Sequence, residues 1–253
     1  MTTFKKSFLA AAVLVLPACG TKDAPDPLSP GAQGRIRFIN LITAPGVNPV
    51  NVILENLPFG VNLAYGQSTP ATLPAPATAN YAPILAGSRT LVVKKTADTS
   101  VTIATVPLTI AAGTDYTTIA TGGASGTAVT TTTFGSTDGP VQGQARIRFI
   151  NMTVSALDVF VTAANADLAT ATPSAANLPP NGFAAAGVTV AAGTYTIRSV
   201  PAGTAAGART AAVNTTLTGE TAVVVVAGNV RTIVFANSAT GGTPLRSFAL
   251  ADY

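Results

Sequence analysis

AQGRIRFIN at 32–40 returns as GQARIRFIN at 143–151, with RIRFIN identical and displaced by the 111 positions from Arg35 to Arg146. In the hexapeptide Ile36 and Phe38 alternate with Arg35 and Arg37, the period-two signature of a strand with one apolar face. The other face is expected to carry guanidinium groups into water. Six identical residues at that distance imply an internal duplication. Weaker echoes follow in the same order. LAGSRTLVV at 85–93 matches VAAGTYTIRSV at 190–200, and IAAGTDYTTIATGG at 110–123 matches LTGETAVVVVAG at 217–228. Two tandem domains are expected, 34–138 and 143–253, joined by STDGPVQGQ and each folding on its own.

The remaining strand signals agree. In VNVILEN the side chains of Val50, Val52 and Leu54 share a face, and in LDVFV those of Leu157, Val159 and Val161 do. VVVVA at 223–227 lacks alternation and is expected to be a central strand covered on both sides, or one crossing the core. The composition is that of an all-β protein. Charged residues make up 9% of the 253, and short β-branched runs are separated by Gly, Pro, Asn and Ser. No stretch after residue 20 has the 3.6-residue period of an amphipathic helix. Short strands at roughly ten-residue intervals point to two tandem Ig-like β-sandwiches of seven or eight strands each.

The ordered set RIRFIN, a V-x-V strand, AYGQST, LAGSRTLVV and IAAGTDYTTIATG resembles the bacterial DUF4397 family, a domain of unknown function found in exported and surface proteins. The resemblance covers nearly all of the first repeat. The second departs from it, lacking AYG and the aromatic and threonines of GTDYTTIATG. What it implies is a β-sandwich in an envelope setting, and it brings no catalytic residues with it.

The N-terminus carries its own message. Lys5 and Lys6 precede SFLAAAVLVLPA, an apolar run too short to span a bilayer as a helix, so residues 1–18 read as a secretory signal. LPAC at 16–19 resembles the lipobox of bacterial lipoproteins, Leu-x-Ala/Gly-Cys, with Pro17 an unusual residue at the variable position. That resemblance implies that Cys19, the one cysteine in the chain, becomes the lipidated mature N-terminus. Each buried methylene contributes about 0.8 kcal/mol to partitioning, so two or three acyl chains make attachment effectively permanent. Residues 19–33 then form a Pro- and Gly-rich tether with a reach of about 40 Å if extended. Gly20 in place of Asp implies, by resemblance to the known sorting pattern, transfer to the outer membrane.

The inventory for chemistry is poor. There is no histidine, so no Ser-His-Asp or Cys-His arrangement and no imidazole metal ligand exists. No phosphate-cradling glycine loop or calcium loop appears, and GGASGTA at 122–128 reads as a turn between two Thr-rich strands. No catalytic, cofactor-binding or metal-binding residue is singled out, and no cofactor is expected. The net charge of +4 includes the leader lysines; without them 12 basic side chains face 10 acidic ones, scattered, and nucleic-acid binding is not expected.

Asp98, Asp115 and Asp138 are expected at solvated turns. Arg35, Arg37, Arg146 and Arg148 are expected on a solvent-facing, edge-protecting strand surface, with an anion-binding stripe as the alternative. Tyr65, Tyr81, Tyr116 and Tyr195 are expected in core or tyrosine-corner roles rather than stacked on sugars. The Pro/Ala/Thr-rich stretches 68–81 and 163–182, at roughly equivalent points of the two repeats, are expected to be mobile loops, with a ligand-facing recognition role as the alternative. The resulting expectation is a lipid-anchored envelope protein, held to the membrane through its N-terminal lipid, acting as a non-catalytic binding or structural module toward an envelope protein or glycan. A carboxylate-based enzyme acting on envelope polysaccharide is the alternative, and a subunit of a larger envelope assembly a third possibility.

Overall fold

In the computed structural model, residues 31–70, 81–122, 128–213, 215–217, 222–240 and 244–253 are described. The signal segment, Cys19, nearly all of the tether, most of the 68–81 stretch and most of GGASGTA lie outside the described residues. Ala32–Tyr253 forms one compact unit. It is all-β, as the sequence indicates, and built as two sandwiches.

In the first, β1 (Gln33–Ile42) is the centre of a sheet that also holds β4 (Ser68–Thr69), β5 (Ala82–Leu85), β8 (Asp115–Gly122) and β9 (Thr130–Ser136). The facing sheet runs in the order β3 (Leu57–Leu63), β2 (Val50–Leu54), β6 (Gly87–Lys95), β7 (Thr102–Ile110). The second sandwich repeats this plan. β10 (Ala145–Asn151) lies between β13 (Gly182–Val190) and β17 (Val230–Ala236), followed by β18 (Leu245–Ala251) and β15 (Thr215–Leu217). Its facing sheet is β12 (Ala175–Leu178), β11 (Leu157–Thr162), β14 (Gly193–Pro201), β16 (Val223–Val225). Each half thus has nine strands among the described residues, more than the seven or eight expected: in the first, two short strands, β4 and β5, share one side of β1, and in the second β15 adds an edge strand beside β18.

Each sandwich has its own core. Ile36, Phe38 and Ile42 meet Val50, Val52, Leu91 and Val93 in the first, and Ile147 and Phe149 meet Leu157, Val159 and Ile197 in the second. A third core lies between the halves, where Ile39, Leu41 and Ile119 pack with Ile150, Val234, Phe248 and Leu250. Tyr65 meets Phe248 edge-on at 6.0 Å, and Phe134 meets Phe183 at 5.5 Å. Gly66 is held so close to Phe248 that a Cβ would lie 2.7 Å from its ring. The order of layers is therefore facing sheet, central sheet, central sheet, facing sheet. β1 and β10 are covered on both faces, which overturns the reading of RIRFIN as a strand with one face in water.

The register explains why RIRFIN is spelled twice. β1 pairs in parallel with β8 (Arg37 opposite Thr117), and β10 pairs in parallel with β17 (Arg148 opposite Thr232). Asn40 and Asn151, both fully buried, end the motif in the same way. Each side-chain amide donates to a strand carbonyl, of Leu63 (2.8 Å) and Leu178 (2.9 Å), while its oxygen accepts the N–H two residues on. A buried polar side chain with its capacity filled in this way ties a strand end to the opposite sheet at no desolvation penalty.

The same register corrects three expectations. The partner of β8 in the second half is β17, VRTIVFA, and not VVVVA. VVVVA instead supplies β16, an edge strand on β14; Val224 within it and Val226 just past it are 59% and 56% exposed. Strands buried on both faces are those inside the stack, and β16 is not among them. The long stretches 68–81 and 163–182 are also not equivalent. The first falls between β4 and β5, where the second half has a continuous β13 with a bulge at Gly187. There φ is +59° and a Cβ would sit 2.1 Å from the Ile147 carbonyl oxygen, so only glycine fits. The second stretch replaces the tight β2–β3 turn, where Glu55 and Asn56 both have positive φ.

Nor is 163–182 a bare mobile loop. Ala175–Leu178 is strand β12, and Leu168 is fully buried with Phe160 and Val200. Arg209 donates to the carbonyls of Leu168 (3.2 Å) and Ala171 (2.9 Å) and lies over the Phe160 ring. The segment covers the outer face of β11.

The third core generates a prediction. Expressed separately, 32–139 and 143–253 each expose a face carrying several apolar side chains normally worth about 1.5–3 kcal/mol apiece when buried. Each fragment is expected to self-associate or bind a hydrophobic dye, and the two to co-purify when co-expressed. Two monomeric, dye-silent fragments as stable as the whole chain would show that the seam contributes nothing.

Candidate functional site

The seam between the central sheets has two ends of opposite character. At the N-terminal ends of β1 and β10 lie the arginines of RIRFIN. Arg37 and Arg148, expected in water, are 0% and 1% exposed, and both reach Asp252, which is fully buried just past β18. Arg37 Nη1 is 2.6 Å from Oδ1 and Arg148 Nη1 is 3.5 Å from Oδ2. Thr232 donates its hydroxyl to the same carboxylate at 2.6 Å. Arg37 Nε donates to Thr117 at 2.9 Å, and its guanidinium stacks on Tyr81 at 4.3 Å.

Beside this cluster Arg35 makes a two-pronged pair with Asp115, both contacts 2.7 Å, and Tyr253 donates its hydroxyl to Asp115 at 2.9 Å while its ring lies 4.1 Å from the Arg35 guanidinium. Asp115 is buried, which corrects its placement at a solvated turn. Burial disfavours the Arg35 charge, but the Asp115 hydrogen bonds and charge outweigh it and hold its pKa above the ordinary value. Arg146, whose side chain is mostly buried, lies 3.8 Å from the half-exposed Asp138.

Asp98 does sit at an exposed turn, accepting from the Ser100 N–H and hydroxyl. The tyrosines take structural roles. Tyr116 accepts from the Ala111 N–H and Tyr195 donates to the Ala191 carbonyl, five and four residues upstream, as tyrosine corners do. Tyr65 and Tyr81 belong to the seam. One signal in the sequence pointed to this burial: beyond Arg35 and Arg37 the same face of β1 continues with Ile39 and Leu41, and beyond Arg148 with Ile150 and Met152. A solvated face would not turn apolar.

At the C-terminal ends of the central strands the seam opens into a cleft of about 620 Å³. Leu41, Met152 and Ala236 form its buried floor, and Thr43, Thr121, Thr130, Thr153, Asn181 and Asn237 supply hydroxyl and amide groups. Both halves contribute. Among the described residues no ionisable side chain lines it. That lining suits an uncharged ligand with hydrogen-bonding groups, within the usual ~300–1,000 Å³ of small-molecule sites. Asp115 lines a separate, smaller pocket of about 310 Å³ with Arg35 and Tyr253, where its oxygens are already occupied. No cluster of three or more potential metal ligands occurs among the described residues. Cys19 lies outside them.

Comparison with protein families finds one match: the model for a domain of unknown function, DUF4397, fits residues 34–162. The matched span covers the first sandwich and runs through β10 into β11. No curated protein matches the chain.

The seam makes a pH prediction. Burial, partly opposed by the Arg37 charge, pushes the Tyr81 phenol up from 10 to about 12. A raised pKa means the folded state holds the proton more tightly than the unfolded chain. The associated stability is therefore complete below about pH 10 and is lost as pH rises from 10 to 12, by up to about 1.4 kcal/mol per pH unit for one group. Urea unfolding midpoints at pH 9, 10.5 and 11.5 are expected to fall less steeply for Tyr81→Phe than for the parent. Equal slopes would place Tyr81 in water.

Proposed function

The chain belongs to the DUF4397 family, a domain of unknown function, and from that premise we propose that it is a lipid-anchored envelope protein whose two sandwiches form one non-catalytic binding module. The second half is a divergent copy of the family domain. Support for the copy comes from the repeated RIRFIN, the repeated parallel pairing of β1 with β8 and β10 with β17, and the repeated asparagine tie. Support for the anchor comes from the leader and LPAC at 16–19. Among the described residues no helix is long and apolar enough to cross a membrane.

The observation that carries the binding reading is the cleft at the open end of the seam. Its neutral lining favours an uncharged partner, glycan or polypeptide, over phosphate or nucleic acid. The rival, a carboxylate-based enzyme acting on envelope polysaccharide, needs two free carboxylates flanking a bond, about 5–10 Å apart. Asp115 and Asp252 instead spend their oxygens on Arg35, Arg37, Arg148, Tyr253 and Thr232.

Two measurements test the proposal separately. Cys19→Ser is expected to move the protein from the detergent-extracted membrane fraction to the soluble one and to block lipoprotein processing. Persistence in the membrane fraction at the processed size would remove the anchor. For the cleft, Thr130→Arg places a charge at an exposed rim position and is expected to change stability by no more than about 0.5 kcal/mol. Capture of envelope material by the immobilised protein is expected to drop at least tenfold. Unchanged capture would mean the cleft is not the binding surface, and release of reducing ends from envelope polysaccharide by the purified protein would favour the enzyme.

A further inference from the structure

The geometry assigns a small monovalent anion of the halide class to the interior of the seam, held by the Arg148 guanidinium. The argument starts from charge. Arg37, Arg148 and Asp252 are all essentially inaccessible, and among the described residues they sum to one uncompensated positive charge. Burying such a charge is among the largest penalties a fold can carry, and it is normally met by a counter-charge. The neighbouring cations do not change the count, because Arg35 is matched by Asp115 and Arg146 by Asp138.

Donor capacity points to the same place. Arg148 Nε and Nη2 and Arg37 Nη2 are buried with no hydrogen-bond partner among the described residues. Arginine has five N–H donors in a fixed fork, and buried donors are almost always satisfied. The other arginines with an unpartnered nitrogen, Arg146, Arg198 and Arg231, are only partly buried.

Comparison of the halves shows why Arg148 is the one left short. Arg37 has its Nε on Thr117 and its flat face on Tyr81. Thr232 holds the register position of Thr117, but its hydroxyl is turned to Asp252. The position of Tyr81, one residue before the Ala82 opposite Ile36, corresponds to Gly187, one residue before the Val188 opposite Ile147. The stretch across from Arg148, Ala184–Gly187, has no polar side chain at all. A water molecule would satisfy an N–H but leave the charge. A halide does both, and needs only the two or three donors present, whereas a phosphate would require further donors that the Ala184–Gly187 stretch across from Arg148 does not supply.

The test uses the full chain. Thermal unfolding in sodium chloride and in sodium gluconate at equal ionic strength is expected to give a higher Tm in chloride, saturating with concentration as a bound ligand does. Arg148→Met keeps the apolar bulk of the side chain, leaves Arg37 and Asp252 as a neutral pair, and is expected to abolish the difference. Crystals grown in bromide are expected to show an anomalous peak within hydrogen-bond distance of Arg148 Nε. This second readout decides the matter if the variant fails to fold. Equal Tm in the two salts, the same chloride dependence in Arg148→Met, or a bromide map empty at Arg148 would each overturn the assignment.

Discussion

Two guanidinium groups, one on the central strand of each sandwich, are held by a single carboxylate, and the arrangement of the four sheets follows from that. An arginine in the middle of a strand forbids burial of that strand's second face unless a charge partner arrives with the covering layer. Asp252 is that partner. It sits just past the strand that also brings Phe248 and Leu250 into the seam, so the polar and apolar parts of the contact are aligned by one stretch of backbone. Removing its carboxylate would leave two buried cations unpaired, a loss of the order of 3–5 kcal/mol or more. The seam then grades from charged at one end, through apolar, to an open cleft at the other.

Much of each sandwich is written locally. RIRFIN, VNVIL and LDVFV place Ile36, Phe38, Val50, Val52, Leu157 and Val159 on the core face as the alternation requires, and in the hairpin turn Asn56 is a residue type that tolerates the positive φ it adopts. The seam is not local. Alternation alone cannot distinguish a polar face that meets water from one that meets a carboxylate, and Asp252 lies 215 positions from Arg37. The same blindness misplaced VVVVA, since four consecutive valines satisfy a two-sided central strand and an exposed edge equally well. The loop at 163–182 was misjudged for a related reason. Its composition is that of a spacer, yet one leucine and a distant arginine, Leu168 and Arg209, hold it down.

The halves differ where each would otherwise do the same work. The first has Tyr81 over its arginine and a tight β2–β3 turn; the second has Gly187, a bulged β13 and a long excursion packed on β11. Two sandwiches that each met a ligand separately would have no reason to hide the second face of each central strand. Here both central strands are committed to one another, and what remains open is shared.

That sharing bears on what one sandwich can do by itself. The floor of the cleft takes Leu41 from one half and Met152 and Ala236 from the other, and its rim alternates between them. A single sandwich would present only one wall, with Ile39 and Leu41 exposed beside an arginine in water. The cleft is therefore a property of the pair, created when the second faces of two like strands close on Asp252, and a single sandwich would have to form it with a second copy or do without it.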